Sequence, residues 1–319
     1  MPRVSILIPC YRQAQYLGQA VDDALGQTHG DVETIVINDG SDDDTAEVAA
    51  RYKGRIRYLH QPNRGPSAAR NFGIREASGE WVLFLDADDR LDRETIARCV
   101  QAVGNDVGVV GVLGHRYFRE RIEESDSPLA FPGEAASLRS FVWRTSAPIN
   151  AYFAPLTAVR AVGGFDEEVL GAEDLDLWIR LAEHGLHYCP IRFLGPWIRR
   201  APGTTSISRD RLRMAKSGAR VVSRYASQHL EASWFGEVAG DVLRYLYAFR
   251  RKLRIIGQEP QVQQQLTDAI QRLRSRGFRV RAALPIRIQD MAPPWLGDCI
   301  ERLGLAYYAT FRPSFYNEL

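Results

Sequence analysis

The chain has 319 residues, 45% of them hydrophobic and 25% charged, and its net charge is only +2. This is the composition of an ordinary soluble globular protein with one large domain, or one plus an appendage. The longest strongly apolar runs, Trp81–Leu85 and Val107–Leu113, are far too short to cross a bilayer, which takes about 20 residues.

The charge is unevenly spread. Residues 1–208 hold 22 Lys/Arg and 29 Asp/Glu, a balance of −7, and residues 209–319 hold 19 and 10, a balance of +9. An acidic front and a basic back suggest two regions with different jobs. Met1-Pro2-Arg3 leads straight into a strand-like segment, so no secretory signal is expected. Cys10, Cys99, Cys189 and Cys299 are scattered without metal-ligand spacing, and they read as reduced thiols of a cytoplasmic protein.

Val4–Ile8 reads as a first buried strand, ended by Pro9-Cys10-Tyr11 because Pro cannot donate to a central ladder. Leu17, Ala20, Val21, Ala24 and Leu25 share one face of a helix over Tyr16–Leu25. Val32–Ile37 is a second strand and stops at Asn38-Asp39-Gly40-Ser41. Ser41 is placed to cap the next helix, which continues through Thr45–Tyr52. Ile56–Leu59 is a short third strand. A loop over Gln61–Pro66 follows, and Ser67 opens a helix carrying Ala68, Ala69, Arg70, Asn71 and Ile74.

Next comes Gly79-Glu80-Trp81-Val82-Leu83-Phe84-Leu85-Asp86-Ala87-Asp88-Asp89, on which the rest of the chain is organised. The apolar run reads as a strand buried on both faces. Burying unpaired carboxylates is costly, so the strand must end at an exposed acidic tip. Asp86 and Asp88, two apart on an extended tip, can both face one hard cation, Mg²⁺ or Mn²⁺. The bland alternative is an acidic helix N-terminus. Strand and helix patterns thus alternate over the first 90 residues, which argues for a parallel α/β sheet with helices on both faces. The first strand–helix turn, Pro9-Cys10-Tyr11-Arg12-Gln13, lacks the dinucleotide glycine fingerprint, and no Walker lysine loop occurs. A nucleotide held here is held by side chains and a metal ion.

Four segments then resemble, in order and spacing, the family 2 glycosyltransferases: Val4–Tyr11, Asn38-Asp39-Gly40-Ser41, Asn63–Asn71 and Leu85-Asp86-Ala87-Asp88-Asp89. The resemblance covers about residues 3–208, roughly two thirds of the chain. It implies the inverting GT-A fold: a mostly parallel, Rossmann-like central sheet flanked by helices. Residues 1–208 would be the catalytic domain and 209–319 a basic helical C-terminal region.

The resemblance also implies roles. Asp88 would hold the metal, Mg²⁺ or Mn²⁺, and Asp86 would contact the ribose or the metal's water shell. Asp39 would hydrogen-bond the nucleobase, with Pro9 and Tyr11 lining its pocket and Arg70 near the base or diphosphate. Gly163–Glu167 is a loop leading to Gly171-Ala172-Glu173-Asp174, the start of an amphipathic helix with Leu177, Trp178 and Leu181 on one side. Asp174 matches the family's catalytic base, although helix capping also accounts for an acidic pair there. One departure stands out: in Ile198-Arg199-Arg200-Ala201-Pro202-Gly203, Ala201 occupies the position of a family His that can reach the metal or diphosphate. Arg199 or Arg200 is then expected to neutralise the diphosphate instead.

A diphosphate leaving group asks for a cation, an acceptor hydroxyl for a base, and the anomeric carbon for orientation. The chain offers a group for each. The expected reaction is sugar transfer from a nucleotide-diphospho-sugar, UDP-sugar first among the donors, to a glycan or lipid-linked acceptor in polysaccharide or glycoconjugate biosynthesis. No nucleic-acid partner is expected. The alternative is a non-catalytic nucleotide-sugar or glycan-binding subunit of a larger synthase, and a nucleotidyltransferase ranks last for want of a Gly-rich basic first loop.

Val107–Leu113 reads as a strand and Arg116–Ser127 as a charged loop. His184-Gly185 reads as a helix end, and the His184/His187 pair lacks a metal-binding motif around it. Beyond Arg209, helices are expected over Arg211–His229, Glu237–Ile256 and Pro260–Arg276. Val242, Leu246, Phe249, Leu253 and Ile256 form the stripe of the second, with Arg244, Arg250, Arg251, Lys252 and Arg254 mostly off it. Such a helix can pack on its own domain, lie on the anionic inner face of a membrane, or join a homodimer.

Overall fold

The computed structural model describes residues 1–119, 147–200, 210–256 and 260–278. Its contacts divide the chain into two units: Met1–Glu168 with Asp176–Thr204, and Val169–Leu175 with Thr205–Leu319.

The first unit is built on an eight-stranded sheet: β1 (Val4–Cys10), β2 (Val32–Asp39), β3 (Arg57–Gln61), β4 (Trp81–Phe84), β5 (Arg90–Leu91), β6 (Val109–Phe118), β7 (Tyr152–Pro155) and β8 (His187–Arg199). The strand order is β3-β2-β1-β4-β7-β6-β8-β5. β1 is parallel to β2 and β4, with Val4 opposite both Val32 and Trp81, and β2 is parallel to β3. β7 enters antiparallel between β4 and β6, and β6 and β8 are parallel. β6 therefore runs in the same direction as β4. The carboxyl ends of β1, β2, β3, β4, β6 and β8 all lie along one edge.

Helices α1 (Ala14–Leu25), α2 (Thr45–Ala50), α3 (Pro66–Glu76) and α4 (Thr95–Val103) cover the sheet, followed by α5 (Leu156–Ala161) and α6 (Glu173–Glu183). Side chains alternate across a strand, and this separates the layers. The Cys10 thiol meets Thr45 of α2, whereas Leu7 and Ile37 lie against Gly73 of α3. Cys10 and Leu7 point to opposite faces, so α2 and α3 cover opposite faces. The core is apolar on both sides: Val4, Ile6, Leu7, Ile8, Ile35, Val36, Ile37 and Val82 are all inaccessible to solvent. Trp81 of β4 stacks on Phe153 of β7 at 4.8 Å, and Tyr152 stacks on Trp178 of α6 at 3.9 Å.

Four local expectations are corrected. β1 runs through Pro9, which sits buried opposite Ile37. The Leu7 carbonyl accepts from Leu85, the residue just past β4, and residue 9 faces the same way, but β4 has ended by then. The missing N–H of Pro9 thus leaves no ladder bond open. Ser41 caps no helix; its hydroxyl accepts from the Arg12 amide, and α2 starts at Thr45 without a side-chain cap. Asp86–Asp89 is a turn rather than an extended tip, closed by the Asp89 amide donating to the Asp86 carbonyl, and Asp89 is buried. Finally, β6 continues through Arg116 and Tyr117 to Phe118 because β8 pairs with it over that length. The later part of the expected 116–127 loop lies outside the described residues.

The second unit contains helices α7 (Arg211–His229), α8 (Ala239–Ile256) and α9 (Pro260–Ser275). Val242, Leu246 and Leu253 of the expected stripe are buried, together with Val222 of α7 and Leu266 of α9. Gly218 of α7 leaves the room that the Phe249 ring fills. Segment 169–175 is tied to α7: the Ser217 hydroxyl donates to the Leu170 carbonyl, and Gly171 lies against Met214. No described helix is long and apolar enough to cross a membrane.

Candidate active site

The site lies along the carboxyl edge of the sheet, where open α/β folds bind ligands. Asp39 ends β2 and is buried at 3% exposure. Its carboxylate accepts from Gln61 Nε2 at 2.7 Å, the Arg64 amide at 2.9 Å and the Gly65 amide at 2.8 Å. Asp39 therefore shapes the loop that leads into α3. Gly65 takes φ 89° there, a left-handed conformation that favours glycine, and Pro66 follows as the first helical residue. Asn38 is equally engaged: its amide donates to the Tyr58 hydroxyl and its carbonyl accepts from the Ser41 amide, both at 2.8 Å.

α3 carries Arg70 to the end of β4. The buried guanidinium donates to Asp86 Oδ1 at 2.8 Å and lies 5.4 Å from the Phe165 ring. Asn71, next to it, clips the glycine loop in place. Its amide donates to the Phe165 carbonyl and to Glu167, and its carbonyl accepts from the Phe165 amide. Arg64 pairs with the same Glu167 at 3.0 Å.

The acidic turn is held from behind. Asp89 Oδ2 accepts from Asn150 Nδ2 and Asp89 Oδ1 from the Arg199 amide, both at 2.7 Å. β5 pairs antiparallel with the end of β8, Arg90 opposite Trp197, and this brings Asp89 beside Arg199. Both Asp89 oxygens serve the scaffold, whereas Asp86 and Asp88 are half-buried. Burial pushes the Asp88 carboxyl up to about 6, and the Asp86 charge beside it adds to the shift. Asp89 is driven well above the carboxylate range, first by burial and then by Asp88 and Asp86. Three crowded carboxyl groups make a place where a cation is favourable. Among the described residues no three His, Cys, Asp or Glu side chains form a metal-binding group. Asp86 and Asp88 are the carboxyl groups of this turn that could hold a hard cation such as Mg²⁺ or Mn²⁺, completed by water and phosphate oxygens.

The remaining expected residues fall as follows. Pro9 is buried inside β1, and Tyr11 is exposed at the strand's end with Arg12 over its ring. Arg12, at φ 53°, is fastened to Asp42 by two bonds of 2.6 Å. Arg199 and Arg200 end β8 and follow it. Arg200 is exposed and stacks over Tyr117 at 3.6 Å, while Arg199 bonds to the Asp88 carbonyl. Asp174 stands in the first turn of α6, in the segment that belongs to the second unit, and its Oδ1 accepts from the Leu175 amide at 2.7 Å. Burial pushes Tyr245 of that unit up to about 12, and the Asp174 charge is among the smaller causes. Ala201 lies outside the described residues. Sequence reading missed Gln61, Asn71, Asn150 and Glu167, whose partners sit between 22 and 103 residues away in the chain.

Residues 5–156 match the family described as Glycosyl transferase family 2. The chain is 34% identical over 190 residues to a chondroitin synthase of Pasteurella multocida, covering 58% of this chain and 19% of that protein. It is 32% identical over 191 residues to a chondroitin synthase of Escherichia coli, covering 58% of this chain and 27% of that one. The chain thus spans only a fraction of the length of these curated relatives. Among solved structures, S. aureus TarS 1-349 in complex with UDP superposes with TM-score 0.66 at 18% identity, over 97% of this chain and 87% of that one. A mannosyltransferase from Pyrobaculum calidifontis in complex with GDP-Man and Mn²⁺ superposes with TM-score 0.61 at 18% identity, over 98% and 81%. These two likenesses show the fold, a mixed α/β GT-A architecture followed by C-terminal helices. With its ordered motifs and this fold, the segment over residues 5–156, a little under half of the chain, is similar to glycosyl transferase family 2.

Proposed function

We propose that the chain is a metal-dependent, inverting glycosyltransferase that moves a sugar from a nucleotide-diphospho-sugar to an acceptor hydroxyl in polysaccharide or glycoconjugate assembly. The observation that carries this reading is the convergence of Asp39, Arg70, Asp86 and Asp88 on one sheet edge, with Arg70 locked to Asp86. The half-buried Asp88 carboxyl, pushed up to about 6 by burial and the Asp86 charge, fits such a site. The structural relatives in complex with UDP and with GDP-Man and Mn²⁺ support a nucleotide-sugar donor and a divalent ion.

In this reading Asp88, with Asp86, holds Mg²⁺ or Mn²⁺. An ion bound there would supply positive charge against the leaving diphosphate. Asp39 and the loop it shapes, with Tyr11 and Pro9, form the nucleobase side. Arg70 holds Asp86 in place, and Arg200, exposed beyond β8, is the cation offered to the diphosphate. Asp174 takes the proton of the acceptor hydroxyl as that oxygen bonds to the anomeric carbon. The bond from that carbon to the diphosphate oxygen breaks, and the electron pair leaves with the nucleoside diphosphate. Attack opposite the leaving group inverts the anomeric centre. UDP-sugars come first among the donors, and the acceptor is a glycan or a lipid-linked glycan. Residues 1–208 would be the catalytic domain and 209–319 its helical extension, working on the cytoplasmic side and reaching the membrane peripherally or pairing as a dimer.

The test is a screen of UDP-, dTDP- and GDP-sugars for metal-dependent hydrolysis and for transfer to glycan acceptors, with the product anomer read by proton NMR. An inverted product from wild type, lost in Asp174→Asn with donor binding kept, supports the reading. A retained anomer, or full turnover by Asp174→Asn, sinks it.

A further inference from the structure

We propose that Arg199 is a positioning residue for the Asp86–Asp89 turn, acting on the metal-dependent part of nucleotide binding and not by touching the diphosphate. The inference rests on the donor reading above and departs from the sequence expectation for this residue.

Arg199 joins four segments. Its amide donates to Asp89 Oδ1 at 2.7 Å, and its Nε donates to the Asp88 carbonyl at 2.7 Å. Nη1 donates to the Arg119 carbonyl at the end of β6 at 3.4 Å, and Nη2 donates to Gln19 Oε1 of α1 at 3.2 Å. The guanidinium centre lies 4.3 Å from the Tyr16 ring and 4.5 Å from the Phe118 ring. Tyr16 belongs to α1 and Phe118 to β6, so the group is flanked by one aromatic ring from the helix that supplies Gln19 and one from the strand that runs into Arg119. Arg is suited to this because its planar fork both stacks and donates in several fixed directions.

Turning the guanidinium toward a bound phosphate would break the Asp88 bond and leave both rings. Its geometry fits a different task. The Asp88 carbonyl is fixed by Nε on one side, and Asp89 is fixed by the Arg199 amide and Asn150 on the other. The turn between them is then rigid, and the direction of the Asp88 side chain is set before any ion arrives. Groups that hold a metal's ligands in this way commonly change metal affinity about 10–100-fold when removed.

The experiment is calorimetric titration of UDP, GDP and dTDP into the full chain, with Mn²⁺ or with EDTA. The proteins are wild type, Arg199→Ala, Arg199→Lys, Asp88→Ala and the Asp88→Ala/Arg199→Ala double variant. For the nucleotide that binds, Arg199→Ala should weaken binding about 10–100-fold in Mn²⁺ and leave the EDTA affinity at the wild-type value. In the Asp88→Ala background it should add no further loss. Free guanidinium, which fits the slot between the two rings, should restore part of the Mn²⁺-dependent affinity to Arg199→Ala. Arg199→Lys keeps the charge without the planar fork and should fall between wild type and Ala; it also serves if the Ala variant does not fold. An equal loss in Mn²⁺ and in EDTA, or a loss that persists beside Asp88→Ala, would mean direct phosphate contact and overturn the proposal. Unchanged affinity throughout overturns it too. Wild-type binding without any Mn²⁺ dependence would instead bring down the metal reading of the site, and the proposal with it.

Discussion

His115 gives a pH-dependent stability that can be worked out in advance. It lies on β6 with 6% exposure, and its Nε2 meets the Tyr117 hydroxyl at 3.2 Å. Burial, helped by the nearby Arg200 charge, lowers it from 6.5 to about 4. The imidazole therefore stays neutral in the fold at pH values where the unfolded chain takes up a proton. Stability is fully present above the unfolded value of 6.5, falls as pH drops toward about 4, and then levels off. From those two values the loss is about 2 kcal/mol by pH 5 and about 3 kcal/mol by pH 4. The assay is urea unfolding of wild type and His115→Gln at pH 8 and pH 5, followed by tryptophan fluorescence. Glu33, held below its ordinary value, and Asp88 and Asp89, raised above theirs, titrate in the same range. They are common to both proteins, so the difference between the two isolates the imidazole. The variant should lose about 2 kcal/mol less than wild type between pH 8 and pH 5. Equal losses would refute the reasoning and place a proton on His115 in the native state.

Three further outcomes follow from single contacts. Gly218→Ala puts a methyl group into the space of the Phe249 ring and should destabilise the C-terminal unit by about 1–3 kcal/mol; adding Phe249→Ala should cost less than the two single changes together, by urea unfolding of the pair and both singles. Asp39→Ala strips three donors of their acceptor. Water reaches the Arg64 and Gly65 amides, so the loss should be about 1–3 kcal/mol from the Gln61 amide, and nucleotide affinity should fall in EDTA as well as in Mn²⁺. Gly164→Ala must hold φ 69° and push its methyl into the Asn71 carbonyl oxygen; a lower melting temperature is expected, and an unchanged one would show that the loop gives way freely.

Much of the fold was legible because its signals are local. Apolar runs named β1, β2 and β4, and helical spacing named α1, where Leu17, Ala20, Val21 and Ala24 are the buried face. The three C-terminal helices were legible for the same reason, since Val242, Leu246 and Leu253 repeat at helical spacing and are buried. What failed depends on distant partners. Pro9 reads as a strand end unless one knows that β4 stops beside it. Arg116 reads as loop, yet it lies in β6 with its guanidinium 4.5 Å from the Trp197 ring of β8. Asp89 looks like one more acid of an exposed tip, and only Asn150 and Arg199, 61 and 110 residues further on, turn it into a buried brace. The carboxylates of the site could be named from sequence, but the frame that aims them could not.

The most direct measurement of the central claim is the binding of UDP, GDP and dTDP to wild type and Asp88→Ala, each with Mn²⁺ and with EDTA. One nucleotide should bind wild type tightly only with Mn²⁺, and Asp88→Ala should reduce its Mn²⁺ affinity to the EDTA level. Equal affinity with and without the ion, or full Mn²⁺-dependent binding by Asp88→Ala, would contradict the account at its centre.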